Sequence, residues 1–285
     1  MGTVLGLAST PAWCDWATWP TAFASMGALA LLPVLFCATV VTQPRLRPPA
    51  PVTTKVTPSA PDSAQAQQGS AATQQGEQRG ASAEPRGWRK LPPLFALAWA
   101  HSAIGWGFFT FQNWIPTYLQ SLNVGGPGTL GLLSALPWAA TAIMTFATGR
   151  AFETLRRSGW SAFRAQTVAH TCACLGASAV LLPMALQPAG PALSIACMGG
   201  ALALQTCNYA GFHAYVQTCG AHRAGAVLGV TNSCGIVTGI AANEVLGQAV
   251  ASSGSYAAMF GVTAVVYASS WVFWVLCLRG KPLGV

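Results

Sequence analysis

Charged residues are scarce in this sequence, at 7% of 285 residues, whereas an ordinary soluble domain carries about 25%. Ten of the twenty charges lie between residues 42 and 91, so the rest of the chain carries even fewer. A chain this poor in charge cannot cover a water-facing surface. The shortage excludes a soluble enzyme, a nucleic-acid-binding protein and a secreted disulfide-rich domain. It predicts a helical membrane protein with one polar interruption.

Catalytic and metal-binding patterns are missing as well. The sequence contains no P-loop, no H-E-x-x-H motif and no pair of aspartates within an apolar run, and we therefore expect no enzymatic activity. Nine cysteines are scattered along the chain, and the close pair Cys172 and Cys174 lacks the spacing of a zinc site. We expect neither a bound metal nor a cofactor.

Apolar stretches long enough to cross a membrane occur seven times in the sequence. A spanning helix needs about 20 apolar residues, because each residue rises about 1.5 Å through about 30 Å of hydrocarbon. The predicted spans are 21–41, 94–119, 129–150, 166–186, 191–215, 225–250 and 256–278. The fold class is therefore an all-α, multi-pass membrane protein. The predicted segments are a non-cytoplasmic tail 1–20, a helix 21–41, a loop 42–91, a six-helix bundle 92–279 and a tail 280–285.

The basic residues predict how the chain is oriented in the bilayer. All fourteen Lys and Arg residues fall in alternate inter-span segments, and the intervening segments carry none. Because cytoplasmic loops are enriched in these residues, the 42–91 loop and the C-terminus are expected on the cytoplasmic or stromal side. Residues 48–84 are mostly Pro, Thr, Ser, Ala and Gln. That composition has little apolar surface to bury, so we expect the loop to be disordered.

The second span combines residues that disturb a helix with polar side chains. Gly105, Gly107 and Pro116 are expected to weaken the helix, so that freed backbone groups face a cavity. Three polar residues of this span are candidates for a substrate pathway: His101, Asn113 and Tyr118. The alternatives are that Tyr118 anchors the outer membrane interface and that His101 is a packed histidine.

The fifth span carries more polar residues near its end than a lipid-facing helix tolerates. The candidates for cavity lining are Asn208, His213, Tyr215 and Gln217. Gln205 and Tyr209 extend this polar set at roughly helical spacing. The alternative is hydrogen bonding between helices, which contributes only about 0.6 kcal/mol for each bond.

The sixth span carries a small-residue step and two further polar candidates. Gly235 and Gly239 form a G-x-x-x-G step, which lets helices in lipid approach closely. Asn232 is a further pathway candidate in this span. Glu244 is the carboxylate placed clearly within a span, and such a group can couple transport to an ion. The alternative is that Glu244, near the outer end of the span, simply reaches water.

These motifs together resemble the anion:cation symporter branch of the major facilitator superfamily, in particular plant and algal plastid phosphate transporters. The runs that carry the resemblance are Trp114-Ile-Pro-Thr-Tyr118, Leu136-Pro-Trp138 and 224–235, with 19–23 and Gly149-x-x-x-Glu153 in support. The resemblance covers almost the whole chain outside the polar loop. It implies that the chain corresponds to the sixth to twelfth helices of a twelve-helix fold, which is the C-terminal half.

The resemblance implies transport of a small anion, phosphate or an organic anion, by alternating access in a lipid bilayer. H⁺ or Na⁺ is the implied coupling ion, and a plastid membrane is the implied location. It also implies a partner, either a separate N-terminal half or a full-length carrier, since family members hold substrate between two halves. The family usually has an acidic residue after the tenth helix, where this chain has Val216-Gln217-Thr218. That difference argues against ion coupling at this position.

Two other functions fit parts of the pattern. A non-transporting scaffold or regulatory protein could pair with a full-length carrier. A seven-helix receptor shares the number of spans and the predicted orientation. Against the receptor, the long loop follows the first span, and the last span holds no lysine for a retinal Schiff base.

Overall fold

The computed structural model describes residues 91–186, 190–220 and 223–280, together with scattered positions between 6 and 35. The described positions between 20 and 35 are helical. The tail 1–20 and the first span 21–41 are described at too few positions to be traced. The predicted loop up to residue 90 and the tail beyond residue 280 lie outside the described residues.

The described part of the chain from residue 91 onward is a bundle of helices. The helices are α1 (Leu91–Ser121), α2 (Pro127–Arg157), α3 (Ala162–Thr171), α4 (Ala177–Leu186), α5 (Pro191–Gln205), α6 (Phe212–Cys219), α7 (Ala224–Ser253) and α8 (Ala257–Cys277). A π-helix, Cys172–Gly176, joins α3 to α4, and a 3₁₀-helix, Thr206–Tyr209, follows α5.

Five segments of this described part are long and apolar enough to cross a bilayer: α1, α2, the α3–α4 unit, α7 and α8. A sixth apolar segment, formed by α5 and α6, is interrupted in its middle. The prediction of an all-α membrane protein is therefore confirmed.

The helix ends follow the local chemistry of the sequence. α2 begins with Pro127 in its first turn, where the missing N–H of proline costs nothing. The predicted third span stopped at Arg150, but α2 continues to Arg157. Arg156 and Arg157 stabilise this last turn, because cations interact favourably with the carbonyl end of a helix. The extra turns carry α2 past its apolar section.

The expectation that α1 is weakened in its middle is wrong. α1 runs unbroken from Leu91 to Ser121 with Pro116 inside it. Its glycines serve close packing instead. A Cβ at Gly105 would overlap the backbone carbonyl of Gly235, and a Cβ at Gly107 would overlap the hydroxyl of Tyr267. Both positions therefore need a residue without a side chain.

The small-residue step of α7 packs closely in the bundle, as predicted, and its partner is α1. A Cβ at Gly235 would lie 3.0 Å from the carbonyl oxygen of His101, and a Cβ at Gly239 would overlap the ring of Phe109. Contacts this close are the usual basis of helix association in lipid, where packing rather than hydrophobicity holds helices together. The prediction of a tightly packed G-x-x-x-G seam is confirmed.

The bundle buries two apolar clusters at different depths. The larger one joins the later half of α1 to α4, α5 and α8 through Phe111, Leu181, Met198 and Phe260. The smaller one joins the first turns of α1 to α6 and the end of α8 through Leu97, Phe212, Tyr215 and Trp274.

Replacement of Gly105 by valine tests the contact between α1 and α7. Because a side chain there meets backbone, we expect Gly105→Val to lower the free energy of unfolding in detergent by about 1–3 kcal/mol. Gly229→Val is the matched control, since Gly229 is also helical and faces open space. Equal losses in the two variants would contradict the proposed backbone contact.

Candidate functional site

The most irregular part of the bundle is the middle of its sixth apolar segment. α5 ends at Gln205, the 3₁₀-helix follows, and α6 starts only at Phe212. Gly211 lies between them with φ −87° and ψ −91°, outside the helical region. A Cβ at Gly211 would come 2.9 Å from the backbone nitrogen of His170. The sequence predicts one continuous span over 191–215, and the structure differs from that prediction by this break.

A cavity of about 240 Å³ opens beside this break. The broken segment contributes Leu202, Gln205, Thr206, Asn208, Tyr209 and His213, and α1, α2 and α8 contribute Ile104, Phe108, Trp138, Thr141 and Tyr267. The residues from α1, α2 and α8 all come from the middle of their helices. The cavity therefore lies near the middle of the predicted membrane.

A chain of side-chain hydrogen bonds holds the break in place. The Gln205 amide nitrogen donates to the carbonyl of Ala173 at 2.7 Å, and the Asn208 amide nitrogen donates to Gln205 Oε1 at 2.8 Å. His170 Nδ1 lies 2.9 Å from Asn208 Oδ1. Because a backbone carbonyl can only accept, it fixes the orientation of both amides. His170 must then donate its Nδ1 proton to Asn208.

The second ring nitrogen of His170, Nε2, also has polar neighbours. Its side chain is fully buried, and its Nε2 lies 3.3 Å from Ser270 Oγ and 3.4 Å from Cys174 Sγ. The ring stacks on Trp274 with centroids 4.1 Å apart. With Nδ1 donating, the neutral ring accepts at Nε2 from the hydroxyl or the thiol. His170 thus ties the broken segment to α8.

His170 was not among the predicted site residues. The signal that could have identified it is a histidine within an apolar span, since ionisable residues are rare there and usually have a partner. The π-helix that begins two residues later, at Cys172, is a second signal, because π-helices often occur at functional sites. That signal is visible only in the structure.

Two of the predicted residues meet at the cavity, and a third lies behind them. Asn208 and His213 both line the cavity. The His213 ring stacks on Tyr209 at 5.5 Å and meets the His101 ring edge-on at 5.7 Å. His101 itself is buried and bonds Thr231 Oγ1 through Nδ1 at 2.9 Å. His101 therefore supports a lining residue without being one.

Two predicted residues of α1 lie away from the cavity. Asn113 is exposed and donates to Asn243 Oδ1 at 3.1 Å, and Trp114 donates to the same oxygen at 3.0 Å. Tyr118 is buried, and its hydroxyl lies 2.9 Å from Ser194 Oγ. In the later half of α1, Asn113 thus links α1 to α7, and Tyr118 links α1 to α5.

The remaining predicted residues are also separate from the cavity. Tyr215 is buried in the smaller apolar cluster. Gln217 and Asn232 are exposed. Glu244 is exposed as well and accepts a hydrogen bond of 2.6 Å from Gln248. The structure thus concentrates the polar residues of the cavity in the broken segment.

The described cavity lining contains no Lys, Arg, Asp or Glu. It offers amides, an imidazole, hydroxyl groups and aromatic rings instead. α6 begins beside the cavity, and the first N–H groups of a helix have no partner within it and carry partial positive charge. In the described residues, no group of three or more His, Cys, Asp or Glu could hold a metal ion. The site suits a ligand that accepts hydrogen bonds.

Comparison with known proteins adds a family and several relatives. The family model described as Major Facilitator Superfamily matches residues 1–243. "Probable anion transporter 3, chloroplastic" from Arabidopsis thaliana is 30% identical over 189 residues, which are 66% of this chain and 37% of that protein.

Two further Arabidopsis thaliana proteins are similar at 27% identity. "Sodium-dependent phosphate transport protein 1, chloroplastic" matches over 199 residues, 69% of this chain and 38% of that protein. "Ascorbate transporter, chloroplastic" matches over 192 residues, 67% of this chain and 35% of that protein. The chain spans little more than a third of the length of the curated relatives it matches.

A double-mutant cycle tests the hydrogen-bond chain at the break. We expect His170→Ala and Asn208→Ala to show a coupling of about 0.5–3 kcal/mol in the free energy of unfolding, because each removes the other's partner. The control cycle pairs His170→Ala with Asn113→Ala, whose hydrogen-bond partners differ. Its two effects should add to within about 0.5 kcal/mol. Additive effects in the first cycle would refute the His170–Asn208 bond.

Proposed function

The chain belongs to the major facilitator superfamily, and on that premise we propose that it forms the C-terminal half of a carrier for a small anion. It is an integral, multi-pass membrane protein with helices long enough to cross a bilayer. The observation that carries the proposal is the cavity at mid-membrane depth beside a broken helix. Membrane carriers commonly place their substrate sites at such breaks.

The electrostatics of the cavity support an anion as the substrate. α6 begins at Phe212 beside the cavity, and the positive end of a helix favours negative charge. Asn208 and Gln205 each use one amide hydrogen within the hydrogen-bond chain and have a second hydrogen for a ligand. The described lining also lacks a carboxylate, which would repel an anion.

The relatives support the same class of substrate. The names of these three relatives refer to anions, phosphate and ascorbate, and all three are named as chloroplastic proteins. We propose a small inorganic or organic anion as the substrate and a plastid membrane as the location. Transport, rather than an enzymatic reaction, is the activity proposed for the complete carrier.

A second helical bundle is the proposed partner of this one. Tyr209 and Phe108 line the cavity but are 61% and 42% exposed, so its wall is incomplete on one side. A second bundle could close that side and supply the cation that the described lining lacks. Alternating access would then be a rocking of the two bundles about the cavity. A scaffold that only pairs with a full carrier is the competing proposal.

Uptake into liposomes tests this function. We expect saturable uptake of labelled phosphate or ascorbate when the chain is co-reconstituted with the first five helices of a plastid relative, and little from the chain alone. His213→Ala should reduce uptake at least about tenfold, because His213 lines the cavity. Asn232→Ala, at an exposed position outside the cavity, should leave uptake within about twofold.

The controls separate transport from scaffolding. Co-purification with a full-length carrier, combined with flux that His213→Ala does not change, would support the scaffold. Saturable uptake by the chain alone would contradict the requirement for a second bundle.

Glu244 is the proposed coupling residue, although it lies outside the cavity. It is the only carboxylate in the interior of the described membrane-length helices, since Glu153 lies near the end of α2. A carboxylate in a span can bind the coupling H⁺ or Na⁺. A role in coupling would place this face of α7 against the second bundle.

Replacement of Glu244 by glutamine tests this role. We expect Glu244→Gln to abolish the response of uptake to an imposed pH or Na⁺ gradient while exchange of labelled for unlabelled anion continues. Glu153→Gln is the matched control, because Glu153 is exposed and paired with Arg157 at 2.6 Å. A normal gradient response in Glu244→Gln would rule out coupling through this carboxylate.

A further inference from the structure

A second concave surface lies between α2, α3 and the broken segment, and its lining residues differ from those of the substrate cavity. It encloses about 260 Å³, and its lining includes Ala151, Phe152 and Leu155 from α2 and Ala165 and Ala169 from α3. On each helix these residues are one, three or four positions apart, so they form one face. The lining is almost entirely apolar, and the hydroxyl of Thr148 within it is 3.4 Å from Thr206 Oγ1. Such a groove accepts a hydrocarbon chain.

The groove ends at the loop between α2 and α3, where cationic groups converge. The guanidinium of Arg156 donates to the carbonyl of Trp160, and the guanidinium of Arg164 lies 5.0 Å from the centre of the Trp160 ring. Trp160 thus contacts both guanidinium groups, one through its carbonyl and the other through its ring. Leu155 and Ala165, which line the groove, directly adjoin Arg156 and Arg164 in the sequence.

The positive charge of this loop is not neutralised within the described residues. Glu153, the acidic residue nearby in sequence, bonds Arg157 at 2.6 Å. Each arginine has five N–H donors, and the contacts of Arg156 and Arg164 with Trp160 leave most of them available. The first turn of α3 begins at Ala162 in the same loop and adds partial positive charge.

We propose that this groove is a binding site for an anionic phospholipid. One acyl chain would lie in the α2–α3 groove, and the headgroup phosphate would lie between Arg156 and Arg164. An apolar groove that ends in paired guanidinium groups matches an amphiphile with an anionic head, and the bilayer supplies that amphiphile at the predicted cytoplasmic face. Free phosphate would leave the groove empty. The proposed lipid site shares no lining residue with the substrate cavity, and it does not depend on the proposed transport.

Native mass spectrometry of the delipidated chain in detergent tests the site. Dioleoyl phosphatidylglycerol and dioleoyl phosphatidylcholine are the two probes, because they differ only in the headgroup. We expect one phosphatidylglycerol to bind at least about tenfold more tightly than phosphatidylcholine. The double variant Arg156→Gln with Arg164→Gln should lose this preference, and Ala151→Phe should weaken both lipids by filling the groove.

Two variants control for folding and for general charge. Arg156→Lys with Arg164→Lys should keep most of the preference, which shows that the loss in the glutamine variant is a loss of charge. Arg223→Gln removes a charge from a different loop on the same predicted side and should leave the preference unchanged. Equal binding of the two lipids to the unmodified chain would overturn the proposal. Displacement of phosphatidylglycerol by millimolar inorganic phosphate would also overturn it, by showing a site for a free anion.

Discussion

The structure depends on one constraint: a helix that breaks inside a membrane must find partners for the polar groups it frees. Hydrocarbon supplies no hydrogen bonds, so every such group needs a partner within the protein. Here the break between α5 and α6 is stabilised by a chain from the Ala173 carbonyl through Gln205 and Asn208 to His170. That chain gives the buried side-chain amides of Gln205 and Asn208 hydrogen-bond partners at the break.

The same constraint explains why the helices around the break are packed so closely. Gly211 allows the broken segment to lie against the backbone of α3, and Gly107 allows α1 to lie against Tyr267. Aromatic rings of α1, α2 and α8 line the cavity together with the amides of the broken segment. The cavity is therefore a product of glycine contacts at its edge and a hydrogen-bond chain at its base.

The sequence was sufficient to predict the elements that depend on local properties. The apolar length of a span is one, and the predicted spans match α1, α7 and α8 to within a few residues. The break was not predictable, because residues 206–211 contain no proline and the partner that Asn208 bonds there, His170, lies 38 positions away in another helix. The glycines of α1 were misread for a related reason. A glycine can weaken a helix or allow a neighbouring helix to approach closely, and only the tertiary packing determines which of the two occurs.

The residues around the cavity also differ in how far the sequence alone could identify them. Asn208 and His213 were found because polar side chains in an apolar span are conspicuous. His170, Trp138 and Tyr267 were not, since an aromatic or a lone histidine in a span resembles ordinary core packing. Their contacts with residues of other helices distinguish them, and such contacts cannot be read from a single stretch of sequence.

The π-helix at Cys172–Gly176 has a consequence for how this region tolerates insertions and deletions. A π turn contains one residue more than an α turn, and one residue advances a helix by about 100°. α4 therefore faces the bundle in a phase that the extra residue sets, and this phase buries Leu181 and Met184. Removing one residue from the π turn would restore regular α-helical hydrogen bonding at the Ala173 carbonyl. It would also rotate α4 away from its neighbours. A single-codon deletion here would therefore disturb both the Ala173 carbonyl that accepts from Gln205 and the packing of α4.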